Sequence, residues 1–110
     1  MNYQHKDLAA KRWRELSFLE QMANIGSEVE RMLNWRIKKN YDYAQKAFER
    51  TLELIDLTLD IDKNYAHLKE VARVREALVD DFTGANQFIS SDNSWRKYFL
   101  SFAYAARKNY

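Results

Sequence analysis

The chain has no proline and only two glycines in 110 residues. A sheet protein needs turn residues about every 8 to 12 positions, and this sequence is too sparsely punctuated to supply them. Strand-type alternation is also absent over any useful length. The pattern predicts an all-α chain with few and short connections. By size, residues 1–110 make a single helical-bundle domain. Hydrophobic residues are 46% of the chain and charged residues 31%, enough to build one core and to cover it, unlike a disordered sequence.

The stretch from Asp7 to Lys38 organises the rest. Phe18, Met22, Ile25, Val29 and Met32 form one row at spacings of three and four; Leu16, Leu19, Ala23, Gly26, Leu33 and Ile37 form a second. Two adjacent rows make a stripe wide enough to face two helices at once. If straight, this helix would be roughly 48 Å long. Ser27-Glu28-Val29-Glu30 has the pattern of a capping box. The first row nevertheless keeps its phase across Gly26, so the expectation is one continuous helix, with a bend or a close helix contact at Gly26.

Lys38 to Asp42 reads as the first turn, with Asn40 or Asp42 capping a second helix, Tyr43 to Leu59, on the row Ala44, Ala47, Phe48, Leu52, Ile55 and Leu59. Asp60 to Asn64 is the second turn, with Asn64 or Asp62 as cap. The third helix, Tyr65 to Phe82, faces the core with Leu68, Val71, Val74, Leu78 and Phe82, and Gly84 is placed to close it in the left-handed conformation. Residues 85–93 carry Phe88 and Ile89, so part of this stretch is expected to fold back on the core. Asp92, Asn93 or Ser94 caps a fourth helix with Trp95, Phe99, Phe102, Ala103 and Ala106 on its buried row. Short loops predict an up-down-up-down four-helix bundle with a long first helix. That first helix would overhang its partners by about 20 Å. The overhang would expose Leu8, Trp13, Leu16 and Leu19. Apolar surface of that extent needs a cover, which predicts a homodimer, with Trp13, Leu16 and Leu19 as its interface.

Chemistry-bearing residues are few. There is no cysteine, so no thiolate site and no disulfide, which fits a reducing, cytoplasmic location. The N-terminal residues lack the apolar core of a signal peptide, and no apolar run is long enough to span a membrane. His5 and His67 are the only histidines. His67-x-x-Glu70 could ligate a metal, but a di-iron bundle needs two such motifs; His67 reads as a solvated residue near a helix start, and no cofactor is expected. Glu49, Glu53, Asp56 and Asp60 share one helix face, and Glu76 and Asp80 another. Facing carboxylates can hold magnesium and a phosphate, as in the all-α nucleotide pyrophosphohydrolases, although the upstream Glu28-Val-Glu30 departs from that family's Glu-Glu-x-x-Glu. Glu30 and Arg75 fall on core-facing rows. A charge there must be paired or reach water, so they form an inter-helix polar network or line a polar pocket. The basic residues Arg31, Arg36, Lys38 and Lys39 lie near Trp35 and Tyr43, which could stack on bases. Glutamates interrupt them, and a net charge of +2 argues against a nucleic-acid partner. No phosphate-binding, nucleophile-elbow or zinc-hydrolase motif is present.

Ser27 to Leu59, with Asn40-Tyr41-Asp42-Tyr43-Ala44-Gln45-Lys46-Ala47-Phe48-Glu49 at its centre, resembles the first helix, turn and second helix of HEPN-type bundles. The resemblance implies a small four-helix domain, often dimeric, of the kind found in defence and toxin–antitoxin systems. Many active members are RNases with an Arg-x4-6-His motif. No arginine precedes His5 or His67 at that distance, so the resemblance implies a non-catalytic or divergent member and carries over no catalytic residue. The expected function is a non-enzymatic protein-interaction and dimerisation module. The alternatives are a HEPN-type RNA-related or toxin–antitoxin module, and a magnesium-dependent nucleotide pyrophosphohydrolase.

Overall fold

Ser17 interrupts the helix that the apolar rows suggest should be continuous. Its backbone is extended, its hydroxyl accepts from the Glu20 N–H at 3.1 Å, and the Glu20 carboxylate accepts from the Ser17 N–H at 3.0 Å. This reciprocal pair is a capping box that starts a new helix. The computed structural model describes residues 10–84, 86 and 90–108, and among them the chain is all-helical with no strand. The helices are α1 (10–15), α2 (Phe18–Ile37), α3 (Tyr41–Ile61), α4 (Tyr65–Thr83) and α5 (Asp92–Lys108). The single long first helix is therefore replaced by two pieces. Of the residues expected in the overhang, Trp13 folds over instead. Trp13 is buried, and its indole N–H donates to the Thr58 hydroxyl at 2.7 Å. The Gln21 amide ties Trp13 from the other side by donating to its carbonyl at 2.8 Å.

α2 runs unbroken through Gly26. A Cβ there would lie 2.7 Å from the Cβ of Phe99. Gly26 thus marks the close helix contact, where α5 approaches α2, and not a bend. The one expected capping box is not used: Ser27 lies inside the helix and donates to the Ala23 carbonyl at 3.3 Å.

Three other caps settle the turn readings. Asn40 caps α3 by accepting from the Tyr43 N–H, and Asn64 caps α4 by accepting from the His67 N–H. The cap of α5 lies one residue before the expected positions: Ser91 accepts from the Ser94 N–H while the Ser94 hydroxyl accepts from the Ser91 N–H. Gly84 does not take the left-handed conformation, having φ −118°. Lys39 (φ 61°) and Asn86 (φ 53°) do. Asn86 is held there because its side-chain amide bonds both the N–H and the carbonyl of Ser90. Leu8, His5, Phe88 and Ile89 lie outside the described residues.

The core is one cluster. Met22, Ile25, Val29, Met32 and Leu33 of α2 meet Phe48 and Ile55 of α3, Val71 and Leu78 of α4, and Trp95 and Phe99 of α5. Each such side chain stabilises the fold by about 1.5–3 kcal/mol when fully buried. The α3 stripe is rotated from the expected row. Thr51 and Thr58 are fully buried, whereas Leu52 and Leu59 are partly so. The threonine hydroxyls are tolerated because they donate to the carbonyls of Ala47 and Leu54 one turn back. The contacts Gly26–Phe99 and Glu30–Arg96 run in opposite chain order, so α5 lies antiparallel to α2. Phe48–Phe82 and Asp56–Arg75 do the same for α3 and α4.

Candidate functional site

An open groove of about 530 Å³ lies between α2 and α5 beside the close contact of Gly26 with Phe99. Its α2 wall carries the small residues Ala23, Gly26 and Ser27, the last two one turn beyond the first, and then Val29, Glu30 and Leu33. Its α5 wall carries Leu100, which is 61% exposed, and Ala103. The groove continues past Ala106 towards Glu20 and Arg107. Its volume lies within the range of small-molecule sites, but the lining is almost wholly apolar. The polar group that crosses it is already matched: the Arg96 Nε–H lies 3.0 Å from both oxygens of Glu30, and Arg96 also donates to the Asn34 side chain at 3.2 Å.

Glu30 and Arg75 are therefore not brought together. Glu30 faces α5, while Arg75 donates to Asp56 of α3 at 2.9 Å. Both pairs are substantially solvated, so each adds little to stability. The expected interface residues also part company: Trp13 is buried, and Leu16 and Leu19 are half-buried, Leu16 against the core. The carboxylates on α3 are engaged separately, Glu49 with Gln45, Glu53 with Arg50 and Asp56 with Arg75. Among the described residues no three acidic or histidine side chains gather as metal ligands would. His67 is more than a solvated helix-start residue. Its ring stacks on Phe18 with centroids 3.8 Å apart, and Nδ1 lies 2.9 Å from the Asp62 carboxylate.

The four basic residues considered at the first turn do not form one patch. Arg31 pairs with Glu28, and Arg36 turns inward. The Arg36 guanidinium donates to Asp92 at 2.9 Å and Asp81 at 3.4 Å, and Asp81 also accepts from the Trp95 indole at 2.9 Å. Burial acts to lower the Arg36 pKa, but the hydrogen bond to Asp92 and the charge of Asp81 outweigh it and hold it above the ordinary value. This network ties α2, α4 and α5 together and escaped the sequence because its members are 45 and 56 residues apart. What remains outside is an aromatic corner. Trp35 meets Tyr43 edge-on at 4.9 Å, with the Lys38 ammonium over the first ring and that of Lys46 over the second. At the α4–α5 seam the Tyr98 hydroxyl donates to Glu70. Burial, and then that carboxylate, push the phenol pKa well above the ordinary tyrosine value.

No family model matches the chain, and no curated protein or solved structure is similar to it. No helix among the described residues is long and apolar enough to cross a membrane.

Proposed function

We propose that the chain is a non-enzymatic protein-interaction and dimerisation module of the cytoplasm. In this reading α2 to α5 form an up-down-up-down bundle, α1 closes one end, and the α2–α5 groove is the contact surface. The observation that supports it is the groove itself: apolar, open along its length, and carrying an exposed Leu100 beside a wall of small side chains. The reading takes this apolar groove, with Leu100 standing exposed at its edge, as the surface that a partner covers. This reading places the interface on the α2–α5 groove and not on Trp13, Leu16 and Leu19, since Trp13 is buried and Leu16 packs against the core. Light scattering across a concentration series tests the reading. A dimer at micromolar concentration is the expected result; a monomer up to the highest concentration measured overturns it.

The second reading is a HEPN-type RNA-related module. It is favoured by the Trp35–Tyr43 corner with Lys38 and Lys46 over its rings, since aromatic faces beside cations suit single-stranded bases. Fluorescence anisotropy with a labelled single-stranded RNA tests it. Salt-dependent binding that is lost in Trp35→Ala would replace the first reading with this one.

A further inference from the structure

The two walls of the groove differ in both shape and charge. The α2 wall is low, formed by Ala23, Gly26 and Ser27, and is edged by Glu20 and Glu30. The α5 wall is high, with Leu100 projecting into solvent, and is edged by Lys97 and Arg107. A two-fold axis running along such a groove sets each wall against the opposite wall of the second copy. Knob then meets hole, and basic edge meets acidic edge, which an isologous interface requires. The same axis keeps the direction of α5, so α5 of one copy lies antiparallel to α2 of the other, as it does to its own α2. Four helices then alternate in direction, with their dipoles opposed at every neighbouring pair. An axis across the groove at the level of Leu100 would instead place Leu100 on Leu100, knob on knob.

We infer that the groove is filled by a second copy of this chain, whose Leu100 docks on Ala23, Gly26 and Ser27 with α5 antiparallel to the partner's α2. This rests on the interaction reading above and names its occupant and register. The chain has no native cysteine, so single variants report contacts between copies cleanly. Ser27→Cys and Leu100→Cys proteins, both altered at exposed positions, are mixed in equal amounts and mildly oxidised. The expected product is the mixed disulfide dimer, well above its statistical share of one half. Leu100→Asp is expected to weaken self-association at least about tenfold, the equivalent of one 1.4 kcal/mol step in affinity. A dimer that cross-links mainly Leu100→Cys to itself, or that Leu100→Asp leaves intact, overturns the docking while leaving a dimerisation module. A protein that light scattering finds monomeric overturns the interaction reading and the docking together.

Discussion

Trp13 and Thr58 meet across 45 residues of sequence, and their hydrogen bond of 2.7 Å is what holds α1 against α3. The Thr58 hydroxyl accepts from the indole while donating to the Leu54 carbonyl at 3.0 Å, so it is satisfied on both sides without water. The two substitutions at Trp13 should differ in a graded way. Trp13→Phe removes the bond but leaves Thr58 bonded to Leu54, and is expected to cost about 1 kcal/mol. Trp13→Ala also opens a cavity and is expected to cost about 3–5 kcal/mol. Urea unfolding monitored by circular dichroism measures both. Midpoints in both variants equal to that of the unaltered protein would show that Trp13 contributes nothing to the fold.

Gly26→Ala should destabilise the protein, although alanine is better than glycine in a helix interior by about 1 kcal/mol. The added Cβ would sit 2.7 Å from the Phe99 Cβ, not from the end of a flexible chain, so α5 has to move. Overpacking of this kind costs about 1–3 kcal/mol. A higher unfolding midpoint in the alanine variant would mean that α5 does not rest on α2 at this point.

Lys39→Gly should have the opposite sign. Lys39 holds φ 61° between α2 and α3, where a side chain costs roughly 1 kcal/mol that glycine avoids. Its ammonium is exposed and carries no hydrogen bond that the substitution removes. A gain of up to about 1 kcal/mol is expected in thermal or urea unfolding.

Tyr98 makes stability fall at high pH. Its pKa is raised in the folded state, so above the ordinary tyrosine value of about 10 the unfolded chain gives up the phenolic proton while the folded chain keeps it. The stabilisation is complete below about pH 10 and declines as pH rises beyond it. In Tyr98→Phe this contribution disappears, so the unfolding midpoint should decline less steeply with pH above about 10 than in the unaltered protein. Identical alkaline slopes would remove Tyr98 as the cause.

Helix content and much of the core were legible because they depend on local spacing. Phe18, Met22, Ile25, Val29 and Met32 form one predicted row, and all are buried except Phe18, which is partly so. Where the reading failed, a signal was present but ambiguous. Ser17-Phe-Leu-Glu20 and Ser27-Glu-Val-Glu30 are the same pattern, and both sit within apolar rows that keep helical phase. Only one of them lies where α1 can turn and place Trp13 over Thr58, a decision made by α3. The α3 row was misplaced because Thr51 and Thr58 were counted as polar, although a threonine in a helix can satisfy its own hydroxyl. Glu30 and Arg75 were recognised as needing partners, but Arg96 is 66 residues from Glu30, and no local pattern links them. The groove depends on how closely two helices pack. Gly26 was its one visible sign.

The break at Ser17 also changes what the first part of the chain is. Of residues 10–15, Trp13 alone is buried. The segment therefore has one anchor and no apolar stripe of its own, and its amide protons are protected only while that anchor is seated. Such a segment opens locally, at a free energy below that of global unfolding. Amide exchange is expected to show it as a separate, weaker unit that detaches and exposes the Thr58 end of the core while α2 to α5 remain folded.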